Sequence, residues 1–480
     1  MKLTELIAGL EDRGQRAEDR RPERELEIKG LAYDSRDVEP GYVFVARRGA
    51  SKYVDEAIKN GAIFLVLEEA MPISVPNIIV EDARKSLSIL AQGFYGNPSK
   101  QLKVIGITGT FGKTTSTWLI KSIYESAGIR TGLIGTIEYK IGGKSIPAHH
   151  TTPESLELQS IFSDLLQGGT SAVVMEVSSH GIALERVYGI DFDIAGFTML
   201  DRDHLDFHKT IEEYKDTKLK FFTDLKSDGI AVLNRDDRYF NEFKSKIKAK
   251  VITYGTSEGC DVMGKVCSVS ENGIELIITY EGKECKIRSP LIGSYHINNL
   301  LLASACALSD GIEFASVCKG IGSLNLVPGR FERIGRVIID YAHTPGALKS
   351  ALTSAREMAK GRVICIFGCG GDRDQGKRSE MGKIASQLAD YVILTTDNPR
   401  SEDPKLIIED IIKGISPSNY DIVLDRRDAI RKGVERSSPE DIVLLVGKGH
   451  ENYQIYGEIK VPWDDRAVAK EIMKELGIES

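Results

Sequence analysis

Residues 106–115 read Gly-Ile-Thr-Gly-Thr-Phe-Gly-Lys-Thr-Thr, after an apolar run that begins at Lys103 and before an amphipathic stretch over 114–127. A strand, a glycine-rich turn and a helix in this order can surround phosphate oxygens with backbone N–H groups at a helix N-terminus. Lys113 would reach the β- and γ-phosphates and Thr114 would bind Mg²⁺. Gly106 and Gly112 are separated by five residues rather than the four of the strict pattern. The segment predicts a nucleoside triphosphate site, which kinases, GTPases, motors and ligases all share.

On both sides of this phosphate loop, strand-like apolar runs alternate with helix-like stretches, which is typical of βαβ units and parallel sheets. The first hundred residues predict a small α/β unit that ends at Asn97-Pro98. The short β-rich pieces of 250–290 predict an antiparallel flap. Beyond Pro328-Gly329, runs such as VIIDYA and DIVLLVG predict a second doubly wound sheet.

The length of 480 residues predicts about three domains, at roughly 100–200 residues per domain. The breaks divide the chain into domains over 1–99, 100–328 and 329–480. We therefore expect an α/β protein with a small N-terminal domain, a central mononucleotide-binding parallel sheet and a C-terminal Rossmann-like sheet.

The composition excludes several classes of protein. With 41% hydrophobic and 28% charged residues, the chain can bury a core and is neither disordered nor collagen-like. A net charge of −7 argues against nonspecific nucleic-acid binding. The seven cysteines form an odd set without CxxC, which favours reduced thiols. The N-terminus lacks a signal-peptide pattern and no apolar run approaches the ~18 residues of a membrane span, so we expect a cytoplasmic protein without membrane contacts.

Two segments after predicted strands carry candidate metal ligands. Glu176 lies near the end of the apolar run of 172–177, where a carboxylate is unfavourable unless it binds a metal or hydrogen-bond donors. A Mg²⁺ ligand and a satisfied core glutamate are both possible, and we favour the ligand. Residues 201–208, Asp-Arg-Asp-His-Leu-Asp-Phe-His, form either a metal-binding or a solvated loop. His204 is the better metal candidate because it follows the acidic pair directly.

Eleven segments, in the same order along the chain and at similar spacing, resemble the motifs of one known family. They are DSR at 34–36, GTFGKTT at 109–115, TTPESLELQ at 151–159, EVSSH at 176–180, RDHLDFH at 202–208, YKDTKLKFF at 214–222, GRFE at 329–332, DYAHTPGAL at 340–348, GCGGDRDQGKR at 368–378, DNPR at 397–400 and GKGHE at 447–451. In these segments the chain resembles the Mur ligases, most closely the MurE type that adds the third residue to a UDP-linked cell-wall peptide.

The resemblance implies an activity, its cofactors and its partners. The three domains would bind the UDP-linked acceptor, ATP and the incoming amino acid in chain order. The acceptor carboxylate would attack the γ-phosphate of ATP, and the amine would displace phosphate from the acyl phosphate. ATP and Mg²⁺ would be the cofactors. The partners would be a UDP-linked peptide and a free amino acid, without nucleic acid, and the protein would be a monomer.

The resemblance also implies site residues. The nucleotide would contact Gly109, Thr110, Gly112, Lys113, Thr114, Thr115, Asn299, Arg330 and Asp340. The catalytic set would be Lys113, Glu176, His204 and Lys218, and the metal ligands Thr114, Glu176, His204 and a carbamylated Lys218. From the residues alone, Lys218 is an ordinary surface lysine on a charged helix; only its motif position favours the other interpretation.

Substrates would contact two further groups of residues by the same resemblance. On the acceptor side these are Ser35, Thr151, Thr152, Ser178, Arg186 and His343; around the amino acid they are Arg373, Asp397, Asn398, Arg400, Gly447 and Glu451. In DNPR, Arg400 could clamp a distant carboxylate in two hydrogen bonds, which favours meso-diaminopimelate over lysine. Glu451 would hold an ammonium group.

Several residues depart from the family pattern, and those on the acceptor side leave two acceptor substrates open. Phe111 replaces a usual Asn in the phosphate loop, and His296 replaces an adenine-side Asn. On the acceptor side, residues 47–57 lack a DGHxFI segment and Leu184 replaces a Gln. A shortened acceptor site would also suit an archaeal pseudomurein peptide ligase, whose UDP-peptide lacks the muramoyl sugar.

Two other classes of protein are less favoured. A folylpolyglutamate synthase-like ligase would lack the N-terminal UDP domain and the DNPR and GKGHE pair. A non-catalytic Mur-like partner subunit would carry a four-cysteine zinc ribbon, whereas Cys260, Cys267 and Cys285 are widely spaced.

Overall fold

The computed structural model describes residues 1–12, 18–20, 25–47, 49–416 and 419–478. Within these ranges the chain forms three main β-sheets, which follow one another in sequence and alternate with helices, and one small two-stranded sheet. The predicted α/β fold class is therefore confirmed. Each sheet has apolar cores of its own. No helix in the described ranges is both long enough and apolar enough to cross a membrane.

The N-terminal sheet is small and mostly parallel. Its elements are α1 (Leu3–Asp12), β1 (Glu18–Arg20), β2 (Gly30–Ala32), β3 (Tyr42–Ala46), α2 (Val54–Lys59), β4 (Ala62–Leu67), β5 (Asn77–Ile79) and α3 (Ala83–Phe94). The order is β1-β5-β4-β3-β2, with β1 antiparallel to β5. Asp82 caps α3 by accepting from the backbone N–H groups of Arg84 and Lys85. In segment 47–57, which lacks the DGHxFI motif of the family, Arg48 lies outside the described residues.

The central sheet is the largest. Its strands are β6 (Lys103–Thr108), β7 (Thr131–Ile134), β8 (Glu138–Ile141), β9 (Lys144–Pro147), β10 (Ala172–Glu176), β11 (Ile194–Phe197), β12 (Ile230–Asn234), β13 (Lys250–Gly255), β14 (Val262–Ser270), β15 (Gly273–Tyr280) and β16 (Lys283–Ser289). Its helices are α4 (Lys113–Ser126), α5 (Ser155–Gln167), α6 (Ser179–Ala183), α7 (Leu205–His208), α8 (Ile211–Thr223), α9 (Phe240–Lys246), α10 (His296–Ser309) and α11 (Phe314–Ser323).

The strand order places the phosphate loop at the centre of this sheet. In the described residues the order is β16-β15-β14-β13-β12-β11-β6-β10-β7-β8-β9. Strand β6 pairs in parallel with both β10 and β11. The chain leaves β6 toward β7 and later returns to add β11 on the other side, and such a reversal opens a ligand crevice at the carboxyl ends of the strands.

The β-rich segment of 250–290 differs in one respect from the expected flap. Strands β14, β15 and β16 are antiparallel to one another, as predicted. However, β13 pairs in parallel with β12, and β14 with β13. The segment therefore extends the central sheet, because hydrogen bonding passes through β13 without a break.

The C-terminal sheet is again largely parallel. Its strands are β17 (Glu332–Ile334), β18 (Val337–Asp340), β19 (Val363–Phe367), β20 (Tyr391–Leu394), β21 (Tyr420–Ile422) and β22 (Ile442–Val446), with a separate hairpin of β23 (Tyr453–Tyr456) and β24 (Ile459–Pro462). The helices are α12 (Pro345–Met358), α13 (Gly376–Leu388), α14 (Pro404–Ile412), α15 (Arg426–Arg436) and α16 (Asp465–Glu475). The order is β17-β18-β22-β19-β20-β21. The domain boundaries at 99 and 329 remain predictions.

Candidate active site

The phosphate loop joins β6 to α4 through two glycines with left-handed backbone. Gly109 has φ 142° and Gly112 has φ 89°, and a Cβ at either position would collide with Thr198 or Asn299 respectively. The Lys113 side chain folds back into the loop, where Nζ donates to Gly109 O at 2.8 Å and to Thr110 O at 2.9 Å. Burial lowers the pKa of Lys113. An anion in the loop would give this ammonium a charged partner in addition to the two carbonyl oxygens.

Glu176 ends β10 directly beside the loop and is 1% exposed. Its carboxylate accepts hydrogen bonds from the backbone N–H of Thr136 at 2.8 Å and from Thr136 Oγ1 at 2.9 Å. Both donors are neutral, so no hydrogen bond from a cation within the described residues offsets its charge. A buried carboxylate in this state, near the Thr114 hydroxyl in the same cleft, fits a divalent cation that prefers oxygen ligands.

His204 enters the same cleft from the loop between β11 and α7. Its backbone is left-handed, with φ 55°, and its Nε2 lies 3.3 Å from Asp203 Oδ2. Burial lowers the pKa of His204 to about 3, which keeps the imidazole neutral as a metal ligand must be. His343 approaches the same carboxylate, with Nε2 3.8 Å from Asp203 Oδ2.

Lys218 lies on α8 and is 1% exposed, so it is not the surface lysine that its charged neighbours suggest. Its Nζ donates to Gly109 O at 2.9 Å and lies 4.6 Å from the centre of the Tyr214 ring. Among the described residues no hydrogen bond joins it to Glu176 or His204. Burial, together with the charge of Lys113, lowers the pKa of Lys218 well below its usual value. A neutral amine is the form that can add carbon dioxide.

The C-terminal domain closes the other side of the cleft. Arg330 Nη2 donates to Thr114 Oγ1 at 3.0 Å, and the guanidinium lies 4.5 Å from the centre of the Tyr341 ring. The buried carboxylate of Asp340 accepts from Tyr295 Oη at 2.9 Å and from the backbone N–H of Phe331 at 2.8 Å. The cleft is thus built from two domains.

Most of the predicted nucleotide and catalytic residues line this one cleft. They are Thr110, Gly112, Lys113, Thr114, Thr115, Glu176, His204, Arg330 and Asp340, joined by Thr151, Ser178 and His343 of the predicted acceptor group. Asn299 lies behind the loop, where its Nδ2 is 3.2 Å from His296 Nδ1. Gly109 and Lys218 contact each other and are likewise not among the residues that line the cleft.

The remaining acceptor-side residues are not among those that line the cleft. Thr152 is buried and its Oγ1 donates to Glu176 O at 2.9 Å. Arg186 forms an ion pair with Glu154 at 2.7 Å and donates to Thr152 O at 2.9 Å. Ser35 stays within the N-terminal domain, where its Oγ donates to Glu56 Oε2. The structure therefore does not bring Ser35 to the phosphate loop.

The predicted amino-acid residues form a second cluster at the carboxyl ends of β20 and β22. Asn398 Nδ2 donates to Glu451 Oε2 at 2.9 Å, and Gly447, with φ 110°, packs against the Asp397 carboxylate. Arg400 Nη1 donates to Gly371 O at 2.6 Å. These residues were predicted from separate segments, and the sheet brings them together.

Ion pairs join this cluster to the central domain. Arg202 forms two hydrogen bonds with Asp374, at 3.0 and 3.2 Å. The neighbouring Arg373 has its Nη1 3.6 Å from Asp206 Oδ2. The metal-candidate loop of 201–208 is therefore in direct contact with the predicted amino-acid loop of 371–376.

A buried ion pair supports the two strand ends that carry the cluster. Arg426 and Asp465 are both fully buried and lie 2.7 Å apart. Arg426 Nη2 also donates to Val446 O at 3.1 Å and Nη1 to Thr396 O at 3.4 Å. The guanidinium thus holds the residues that immediately precede Gly447 and Asp397.

The cleft and cluster residues that were missed from the sequence include Asp203, Tyr295 and Lys448. Asp203 belongs to the acidic pair that was noticed, but His204 was preferred. Tyr295 precedes a helix and carried no signal. Lys448 lies inside GKGHE, and a lysine two residues after the buried strand β22 is the signal that could have found it.

The cysteines show no arrangement for zinc. Cys260, Cys267 and Cys285 lie before β14, within β14 and within β16. In the part of the chain that the structure describes, no three His, Cys, Asp or Glu side chains gather as a metal cluster. The donor set predicted for Mg²⁺ is of a different kind, because it would include a threonine hydroxyl and a carbamylated lysine.

Comparison with known proteins supports these observations over most of the chain. Residues 107–307 match the Mur ligase middle domain, and residues 329–449 match the Mur ligase, glutamate ligase domain. The chain is 43% identical over 470 residues to the UDP-N-acetylmuramoyl-L-alanyl-D-glutamate–2,6-diaminopimelate ligase of Clostridium botulinum, covering 95% of this chain and 97% of that protein.

Solved structures agree in fold. A UDP-N-acetylmuramoyl-L-alanyl-D-glutamate–2,6-diaminopimelate ligase matches with a TM-score of 0.68 and 32% identity, over 94% of this chain and 95% of that chain. The MurF ligase of Thermotoga maritima in complex with ADP matches with a TM-score of 0.64 and 20% identity, over 94% and 97% of the two chains. The match to two family domains and the identity over almost the whole length lead to one conclusion: this chain belongs to the Mur ligase family.

Proposed function

We propose that this protein uses ATP to join meso-diaminopimelate to UDP-N-acetylmuramoyl-L-alanyl-D-glutamate, releasing ADP and phosphate. The observation that carries the proposal is the 43% identity to a ligase named for these two substrates, over 95% of the chain. The identity extends over all three sheets, so it includes the acceptor, nucleotide and amino-acid regions together. We keep 1–99, 100–328 and 329–480 as the domains that would bind them in this order.

The reaction requires two anions to meet. A carboxylate oxygen of the acceptor attacks the γ-phosphorus, the bond to the β-phosphate oxygen breaks, and an acyl phosphate and ADP form. Lys113 and Arg330 both line the cleft, and their positive charges would offset the repulsion and stabilise the charge that develops. The uncharged amine of the amino acid then attacks the acyl carbon and inorganic phosphate leaves.

One Mg²⁺ would be held by Thr114 and Glu176, and a second by Glu176, His204 and a carbamylated Lys218. Mg²⁺, when bound, would neutralise phosphate charge and draw the carboxylate and triphosphate together. The support is chemical: Glu176 is buried without a cationic hydrogen-bond partner in the described residues, and His204 is neutral. Lys218 is buried and its lowered pKa favours the free amine, which adds carbon dioxide to give an N-carboxylate and a proton.

The remaining predicted residues would divide between nucleotide and substrates. The backbone of 109–115 would surround the phosphates, Asn299 would approach the base and Asp340 the ribose. Thr151, Thr152, Ser178, Arg186, His343 and Ser35 would serve the acceptor. Arg373, Asp397, Asn398, Arg400, Gly447 and Glu451 would serve the amino acid, with Arg400 on the distant carboxylate and Glu451 on an ammonium group. We expect a cytoplasmic monomer.

A phosphate-release screen tests the proposal. UDP-muramoyl-dipeptide and UDP-glutamyl peptides are each combined with ATP, Mg²⁺ and one of diaminopimelate, lysine, alanine or glutamate. We expect release to be fastest when UDP-muramoyl-dipeptide and diaminopimelate are both present and much slower with lysine, and the diaminopimelate product should have the mass of the two substrates minus one water. Absence of release in every combination would refute the ligase assignment.

The screen also separates the second candidate, a ligase for a UDP-peptide without muramoyl sugar. The observations that favour it are the missing DGHxFI segment in 47–57 and Leu184 in place of a Gln. Leu184 lines a small cavity with Arg47 and Arg84 between the first two domains. Preferential use of UDP-glutamyl peptides would identify this activity and overturn the muramoyl assignment.

A further inference from the structure

Lys448 is a buried lysine within the second cluster that the proposed reaction has not used. It lies two residues after the end of β22, between Gly447 and Gly449. Its side chain is 0% exposed. A lysine side chain is rarely buried completely unless its ammonium has partners, so the identity of those partners indicates what Lys448 does.

The partners are two residues of the predicted amino-acid pocket. Lys448 Nζ donates to Glu451 Oε2 at 2.9 Å and to Asn398 Oδ1 at 3.0 Å. Asn398 Nδ2 donates in turn to Glu451 Oε2 at 2.9 Å. The three side chains form a closed triangle in which each is hydrogen-bonded to the other two.

The ammonium group also determines which way the Asn398 amide faces. The amide oxygen accepts from Lys448 Nζ and from the backbone N–H of Ile455 at 3.0 Å. Its NH₂ group is therefore directed at Glu451. Because lysine can only donate, the reversed amide would place an NH₂ against an ammonium and a carbonyl against a carboxylate.

The triangle uses one oxygen of Glu451 and leaves the other available. Oε2 accepts from both Lys448 and Asn398, while no donor among the described residues bonds to Oε1. The Glu451 side chain is 17% exposed, so it is mostly buried but still partly accessible. Oε1 is thus in a position to accept from a ligand ammonium while Oε2 fixes the carboxylate.

We propose that Lys448 is a positioning residue, which orients the Glu451 carboxylate and the Asn398 amide so that Glu451 can receive an ammonium group of the incoming diamino acid. This inference rests on the proposed function. Without the Lys448 ammonium, Glu451 loses its charged partner and can turn toward solvent, and Asn398 loses the contact that selects its amide orientation. Amino-acid binding should weaken, while nucleotide binding in the separate cleft should not.

The test measures the KM of wild type and Lys448→Met for diaminopimelate, ATP and UDP-muramoyl-dipeptide by phosphate release. We expect the KM for diaminopimelate to rise at least tenfold in the variant, and the other two KM values to change less than twofold. Lys470→Met is the matched control, because Lys470 is exposed on α16, and we expect it to leave all three KM values unchanged.

A double-mutant cycle separates positioning from a general structural role. In a Glu451→Gln background the ammonium no longer has a carboxylate to orient, so adding Lys448→Met should change the KM for diaminopimelate less than threefold. A tenfold further change in that background would overturn the proposal, as would an unchanged KM in the single variant.

Two further points keep the outcomes distinct. If Lys448→Met does not fold, Lys448→Gln carries the same predictions, since it removes the charge but keeps a polar group in the cavity. If the wild-type protein releases no phosphate with diaminopimelate, the proposed function has failed. An active wild type with an unaltered variant refutes only the role of Lys448.

Discussion

Replacement of Asp465 by Asn tests how the C-terminal domain holds its two functional strand ends. Asp465 accepts from Arg426 Nε at 2.8 Å and Nη2 at 2.7 Å, and from Trp463 Nε1 at 2.7 Å. Both members of the ion pair are 0% exposed. Asn keeps the size of the side chain and an oxygen for Trp463, but it leaves the guanidinium buried without a counter-charge.

The expected loss of stability follows from the burial. Removal of one partner of a buried ion pair typically costs about 3–5 kcal/mol. At roughly 2–4 °C per kcal/mol for a domain of this size, the unfolding midpoint should fall by about 6–20 °C. Because Arg426 also donates to Val446 O and Thr396 O, the KM for diaminopimelate should rise as well.

Tryptophan fluorescence gives a local assay. The sequence has two tryptophans, so a Trp118→Phe background leaves Trp463, beside the ion pair, as the single tryptophan. Glu471→Gln is the control, because its 2.8 Å pair with Arg427 is exposed and such pairs contribute about 0–1 kcal/mol. The double variant Arg426→Met/Asp465→Asn should be less destabilised than the sum of the singles, since it leaves no unpaired charge. A midpoint within 2 °C of the parent for Asp465→Asn, or strict additivity in the double variant, would refute the reasoning.

Three further predictions concern the reaction itself. Lys113→Ala should abolish acceptor-dependent ADP release, because the side chain folds back into the phosphate loop, where its ammonium would offset phosphate charge; continued ATP hydrolysis would contradict the assignment of the loop. Lys218→Ala should be inactive and partly rescued by added short-chain carboxylic acids, which can occupy the space of an N-carboxylate; full activity without rescue would exclude carbamylation. Arg400→Ala should lower kcat/KM for diaminopimelate more than for lysine, because lysine has no second carboxylate for the guanidinium to bind. Equal losses for the two amino acids would refute the proposal that Arg400 binds this carboxylate.

Local spacing was enough to predict the nucleotide loop and the type of fold. The strand, glycine turn and helix of 103–126 are contiguous, so their geometry follows from short-range preferences. The alternation of apolar and amphipathic runs likewise predicted parallel sheets, which the strand pairing confirms. The resemblance to the Mur ligases depended on motifs read in order and is confirmed by the comparisons.

Lys218 shows where reading composition alone was insufficient. Its charged neighbours suggested a solvent-exposed helix, yet the side chain is 1% exposed. Tyr214, Lys218 and Phe222 recur at a spacing of four, and all are buried on the same face of α8. The periodicity contained this information, but only the packing of α8 against the sheet shows that the face is inside.

Tertiary structure alone decided which distant residues meet. Arg202 and Asp374 are 172 positions apart and still form two hydrogen bonds. The triangle of Lys448, Asn398 and Glu451 joins the ends of two strands separated by about 50 residues. The sequence by itself determined the local elements and the kinds of chemistry available, because those depend on neighbours along the chain. Contacts between domains and between strand ends depend on how whole sheets pack, which no local pattern specifies.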